Sequence, residues 1–417
     1  MNAPQPEPHP SFHGCPVLDP TASAPHAEAA ALRERGPAAL VELPGGVRAW
    51  SVTRHAVIQA LTTDPRVSRD YRRHWPGAAQ VPEGWVLGSV AFQDSFFNQY
   101  GAEHRAARGR IAPTFLPRRA ERMRPQVQET ADRLVDELGA LAPGERADLR
   151  EALARPLTMT VICDLFGVPE KMRETLGELV DTVLDSSLDE TAALAAQTEL
   201  YGRLGELVEY KRARPASDLT SDLLLSDRPG EQPLTEHQLL GTLLTMIAAG
   251  FETAVNLITS AALELLTHPE ESARLRAGAI GWADVIEETL RLDGPVMHLP
   301  LRYAVEDIDL GEGVLIRAGD PIIIGFAAAG RDPERHPDRP DAFDPSRPDK
   351  GHLAFGHGPH FCLGAPLARL EAEIALRTLF ERLPDLALAE PGREPARLPS
   401  MIVSGPAALE VVPRPAA

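Results

Sequence analysis

Thr235 and Gln238 stand three residues apart, the spacing of a capping box, and no proline follows until His268-Pro269. A helix of roughly 30 residues between these signals spans about 45–50 Å, so it crosses the molecule and the rest of the chain packs around it. Its apolar run from Leu239 to Phe251 is interrupted by Gly241, Thr242 and Thr245. That falls short of the ~20 predominantly apolar residues of a spanning segment, and predicts a core helix of a soluble protein. The middle reads Ala248-Ala249-Gly250-Phe251-Glu252-Thr253. Gly250 costs about 1 kcal/mol relative to Ala in a helix interior, which calls for a reason such as close helix packing. Thr253 is placed to bond back to the carbonyl of Ala249, and Glu252, read alone, is an ordinary solvated glutamate.

The second constraint lies near the C-terminus, where Phe355-Gly356-His357-Gly358-Pro359-His360-Phe361-Cys362-Leu363-Gly364 leads into a helical run from Ala365 to Leu379. Glycines let the backbone approach a flat ligand closely, and amides at a helix start favour a thiolate. Three readings fit Cys362: an apolar filler, a zinc ligand with His352, His357 and His360, or one axial ligand to a haem iron. Zinc usually takes four ligands with paired spacings, and one cysteine with H-x4-H-x2-H-x-C matches no common pattern.

The bulk properties narrow the class. Lys+Arg 42 against Asp+Glu 60 gives a net charge of -18, which argues against nucleic acid as a partner. Three cysteines, Cys15, Cys163 and Cys362, are widely separated and odd in number, as expected in a reducing cytoplasm rather than in a disulfide framework. The first residues carry neither a basic nor an apolar leader pattern, and residues 1–25 read as a mobile arm. Val41–Leu43 and Val47–Val52 flank Pro44-Gly45-Gly46 as a hairpin. Asp64–Phe97 lacks periodicity and reads as a long irregular connection. Helical patterns dominate from Glu103 to Thr267, and four short β-prone runs lie between Leu301 and Ile324. Trp282–Leu292 reads as a helix with Gly294 as its C-cap, and Glu288 and Arg291 share one face of it.

The cysteine segment resembles the haem-binding signature of cytochromes P450, F-G-x-G-x-H-x-C-x-G, at every fixed position. Ala249 to Thr253 resemble the family's A-G-x-[DE]-T element, and Glu288 with Arg291 its E-x-x-R element. His104 with Arg108 resemble H-x-x-x-R, and Arg302 with Ala304 resemble R-x-A. The elements fall in family order from about Ala39 onward. Two departures are Tyr100-Gly101-Ala102-Glu103, where many members of the family have an Asp-Pro-Pro-Glu-like run, and Gly330, where Asn is common.

The resemblance implies a mainly α fold with small β-sheets, a single haem-thiolate domain over residues 26–417, and haem b as cofactor. It makes Cys362 the metal ligand, with Phe355, Gly356 and Gly364 shaping the loop against the cofactor, and His104, Arg108, Arg302 and His360 facing its propionates. Gly250 is expected to leave room for dioxygen, and Glu252 and Thr253 to deliver protons. Glu288, Arg291 and Arg347 are expected to form a structural charge network. Substrate walls are expected at Thr245, Ala248, Ala249, Val296, Met297, His298, Leu299, Met401 and Ile402. The implied activity is insertion of one oxygen atom from O2 into a hydrophobic steroid, macrolide or other natural product by a soluble cytoplasmic monomer. Electrons are expected from NAD(P)H through a separate ferredoxin and its reductase, because the chain has no flavin or iron–sulfur unit. Arg105, Arg110, Arg118, Arg119 and Arg369 are the expected docking patch. A peroxide-driven P450 and a non-catalytic haem-binding or sensing protein are the alternatives, and the acid–alcohol pair weighs against both.

Overall fold

The computed structural model describes residues 15–225 and 234–415. The capping box forms: Gln238 N donates to Thr235 Oγ1 (3.2 Å) and Thr235 N to Gln238 Oε1 (3.1 Å). The helix runs Glu236–Thr267, 32 residues, and stops at His268 ahead of Pro269. By length and composition it is apolar enough to cross a membrane, because the threonines and glycines do not offset its leucines and isoleucines. Most of it is buried inside the protein instead. The helices Arg155–Phe166, Glu190–Ala213, Trp282–Leu292 and Ala365–Arg382 pack around it.

A five-stranded sheet lies at one side, in the order Ala39–Leu43, Val47–Val52, Pro321–Gly325, His298–Ala304, Val67–Ser68. The hairpin pairs Leu43 with Val47 across a turn in which Gly45 and Gly46 take φ of 75° and 73°, a left-handed region that glycine enters without strain. The pairing of His298–Ala304 with Pro321–Gly325 shifts register between Leu299 and Arg302. Pro300, which has no N–H for a ladder, sits in that irregularity.

Several expectations change. Residues 1–14 of the expected mobile arm lie outside the described residues, but the arm does not extend to 25. Leu18 is fully buried and donates its N–H to Glu42 O (2.9 Å), and Pro25 begins a helix. The connection 64–97 contains short helical turns held by an aromatic cluster in which Trp75 stacks on Tyr303 (5.3 Å) and Phe92 (5.8 Å). A second sheet of Ala147–Asp148, Glu410–Val412 and Ala387–Leu388 was invisible to pattern reading because its strands are two or three residues long. Gly294 is not a left-handed cap; a Cβ there would lie 3.1 Å from Ala354 Cβ, so it admits the approach to the cysteine loop.

The segment that delivers the cysteine is fixed by charge. Arg291 Nε and Nη2 make a two-point contact with Glu288 at 2.8 Å each, and neither side chain is exposed. Its remaining N–H groups donate to Gly330 O (2.7 Å), Pro340 O (2.7 Å) and Ala342 O (2.9 Å). Arg347 Nε reaches Glu288 Oε1 at 3.4 Å, and Asp344 N donates to the same oxygen (2.9 Å). Gly330 belongs to this packing: a Cβ there would fall 1.8 Å from Arg291 O. Glu288→Gln leaves two buried guanidinia without their carboxylate and is expected to lower unfolding free energy by about 3–5 kcal/mol. A urea midpoint equal to that of the parent protein would contradict this.

Candidate active site

On the long helix, Thr245, Ala248, Ala249 and Thr253 keep partial or full exposure where their neighbours are mostly buried. Their spacing of i, i+3, i+4 and i+8 places them on one face. The Thr245 hydroxyl sits among Gly241 O (2.7 Å), Ser95 Oγ (3.0 Å) and Gln93 Oε1. Thr253 Oγ1 donates to Ala249 O (2.6 Å). Gly250 is corrected: a Cβ there would fall 2.5 Å from Ile162 Cδ1 on the Arg155–Phe166 helix. Its missing side chain is explained by helix packing rather than by space for a diatomic molecule.

Glu252 is not a solvated glutamate. It is buried, with Oε1 2.6 Å from Arg150 Nη2, and Arg150 Nη1 also donates to Asn256 Oδ1 (2.7 Å). Glu252 Oε2 has no hydrogen-bond partner among the described residues. Burial pushes the carboxyl pKa up to about 7 in spite of Arg150. A cleft of about 370 Å³ reaches Glu252 between Asp181, Thr182 and Leu188 on one side and Leu398, Ser400 and Val403 on the other. Arg150 and Asn256 were missed in the sequence; an arginine set among Leu149, Leu153 and Ala154 was the available signal.

Cys362 is exposed as a residue, yet its thiol is surrounded by protein atoms, and this burial pushes its pKa up. The N–H groups of Gly364 and Ala365 and the guanidinia of Arg108 and Arg369 pull it back down. Cys362 N donates to Phe355 O (2.8 Å). Gly356 and Gly358 adopt φ of 73° and 71°, and a Cβ on Gly358 would lie 2.8 Å from Thr62 O. Gly364 lies beside the sulfur, where a Cβ would be 3.7 Å away. His352 is committed to Glu287 (Nε2 to Oε2, 3.0 Å).

His104 and Arg302 are buried, and the rings of His104 and His360 stack with centroids 4.0 Å apart. His104 Nε2, His360 Nδ1 and Arg302 Nε have no partner among the described residues. Burial and the nearby Arg108, Arg69 and Arg302 hold His104 down to about 4, and burial lowers Arg302 to about 10. Arg108 Nη2 donates to Phe361 O.

The expected pocket list divides. Val296 and Leu299 are partly exposed. Met297 is corrected to a core residue, fully buried in a cluster with Ala29, Ala327 and Ala328. Met401 and Ile402 are likewise buried in the main core, and the residues of this loop that line the cleft are Leu398, Pro399, Ser400 and Val403. His298 is buried with Nδ1 against Met401 O (3.1 Å), which fixes the loop from below. Arg369 is half-buried and held to Glu287 at 2.5 and 2.9 Å, so it is not a free member of the basic patch.

A cytochrome P450 family profile matches residues 283–406. The chain is 42% identical over 400 residues to 2-hydroxy-5-methyl-1-naphthoate 7-hydroxylase of Streptomyces carzinostaticus, covering 95% of this chain and 97% of that protein. It is 41% identical to cytochrome P450 monooxygenase PikC of Streptomyces venezuelae, covering 94% and 91%. CYP154A1 of Streptomyces coelicolor A3(2) superposes with a TM-score of 0.92 at 46% identity, covering 95% and 100%. The protein therefore belongs to the cytochrome P450 family and is a monooxygenase with haem b as cofactor. Within that family it is of the Streptomyces type, similar to macrolide-hydroxylating P450s and to the CYP154 structures.

The residues present fit this cofactor. Exposed Ala249 on the long helix and exposed Phe361 and Cys362 on the loop offer apolar surface and a sulfur. Arg302, His104 and His360 present buried donors without acceptors, as two propionates would require. Between about pH 4.5 and 7 the folded chain holds the Glu252 proton that the unfolded chain has released, so stability falls as pH rises through this window. Glu252→Gln is expected to flatten that part of the thermal-midpoint profile. An identical slope in the variant would contradict the raised pKa.

Proposed function

We propose that Cys362 is the protein's ligand to the haem iron, and that Glu252 and Thr253 handle the protons of the reaction. Haem bound there supplies the one-electron and dioxygen chemistry by which one oxygen atom enters a C–H or C=C bond. The observation that carries the proton assignment is the Glu252 carboxyl, buried, with a pKa raised to about 7 and set in the wall of a cleft large enough for several waters. Arg150 holds it by Oε1, which leaves Oε2 as the atom that carries the proton. The Thr253 hydroxyl, anchored at Ala249 O, stands one helical turn beyond Ala249 on the same face, which makes it the donor that accompanies the carboxyl in this reading. A group with a pKa near the working pH is an efficient proton donor and acceptor.

Arg108, Arg302, His104 and His360 hold the propionates in this reading, and Phe355, Gly356 and Gly364 let the loop lie close to the macrocycle. The substrate is a hydrophobic natural product of the macrolide, steroid or aromatic polyketide kind. The apolar face of Ala248, Ala249, Val296 and Leu299 supports this, together with relatives whose names specify a naphthoate and a solved CYP154C4 with bound testosterone. Gln93 and Ser95, gathered at Thr245, add a polar point that orients the substrate. A type-I spectral screen over these classes finds the binding compound. With that compound, Thr253→Ala keeps the binding shift while product per NAD(P)H falls ~10-fold or more and peroxide rises. Full coupling in the variant would refute the proton role.

Electrons come from NAD(P)H through a separate reductase and an acidic ferredoxin, and the enzyme works as a monomer in the cytoplasm. Exposed Arg105, Arg118 and Arg119 form the docking patch on an otherwise acidic protein. Arg118→Glu with Arg119→Glu is expected to slow reduction by ferredoxin roughly 10-fold at low ionic strength and much less at high. Equal rates at low salt would remove the patch from the account.

A further inference from the structure

Arg69 is 1% exposed and pairs with no acid among the described residues. It follows the strand Val67–Ser68, whose Ser68 lies opposite Tyr303, so the chain brings it beside Arg302. Nη2 is used: it donates to Pro300 O (2.9 Å) and faces Asn98 Oδ1 (3.4 Å). The Pro300 carbonyl is available because the sheet register breaks at this proline. Nε and Nη1 are buried and have no acceptor among the described residues. Asp70, the next residue, sends its carboxylate to Arg73 (3.1 Å) instead.

The guanidinium is held in place by aromatic contact. It lies 3.7 Å over the Phe97 ring, Phe97 meets the His360 ring edge-on at 5.9 Å, and His360 stacks on His104 at 4.0 Å. The result is one continuous array, Arg69, Phe97, His360 and His104, with Arg302 alongside. Burial disfavours the charge of both Arg69 and Arg302, and Arg302 is close enough to disfavour that of Arg69 further. Buried guanidinia persist when an anion completes them, and free N–H groups on a rigid, fully charged planar group suit the oxygens of a carboxylate.

We propose that Arg69 is a carboxylate-binding residue that acts with Arg302, and that the carboxylate is a haem propionate. This rests on the haem reading above. The array reaches His360 in the cysteine loop, which favours a propionate over its chemical equivalent, the carboxylate of an acidic aromatic substrate. Arg69 would then govern how firmly the cofactor is retained, and is a positioning residue rather than a catalytic one.

The test measures transfer of haem from the holoenzyme to excess apomyoglobin. Arg69→Gln is expected to release haem about 10-fold faster than the parent, with Arg69→Lys between the two. The difference between parent and variant is expected to vanish when both carry haem dimethyl ester. Type-I titration with 1-naphthoic acid and its methyl ester forms the second arm. Unchanged haem release with a 10-fold loss of affinity for the acid alone assigns the carboxylate to substrate. No change in either arm overturns the proposal. If Arg69→Gln does not fold, Arg69→Lys carries the same comparison, since it keeps the charge and loses the fork. A normal ferrous carbonyl spectrum in the parent separates failure of this proposal from failure of the haem reading.

Discussion

One carboxylate, Glu288, holds together the part of the chain on which the site depends. Arg291 and Arg347 converge on it with no side-chain exposure at the Glu288–Arg291 contact, and spend their other N–H groups on carbonyls of residues 330–342. That irregular stretch has no ladder or helix of its own to satisfy its backbone, so two guanidinia serve in place of secondary structure. A buried ion cluster of this kind is sensitive to the loss of any member and adds little over an apolar core of equal volume. Its benefit is geometric: the chain enters the cysteine loop from a fixed position and direction.

Charge is distributed unevenly around the loop, and the unevenness follows function. On the side of His104, Arg302, His360 and Arg69, buried donors gather without an acid, an arrangement stable only when something anionic joins it. On the side of the long helix, Glu252 has its cation in Arg150 and still keeps one oxygen free. The first group is suited to hold a dianionic cofactor by its edge. The second is suited to carry one proton at a time, because Arg150 stabilises the ionised form that burial disfavours.

Much of this was legible in the chain. The capping box at Thr235 and the stop at Pro269 marked the long helix to within a residue at each end. The glycines at 356 and 358 do adopt the left-handed torsions that their pattern implied. What could not be read was contact across the fold. Gly250 carries the same letter whether it faces a ligand or Ile162, and only packing decides. Glu252 and Arg150 are about a hundred residues apart, and nothing local reports that they meet. Arg69 follows a two-residue strand too short to have a period, and Met297 is buried beside the partly exposed Val296 and Leu299 where the strand pairing is irregular.

The central claim is that a single cysteine thiolate, at Cys362, holds the haem. The ferrous carbonyl absorption spectrum of the purified protein tests it most directly, measured for the parent and for Cys362→Ser. The parent is predicted to give the red-shifted Soret band of a thiolate complex and the variant to lose it. A parent spectrum without that band, or a variant that keeps it, would contradict the assignment.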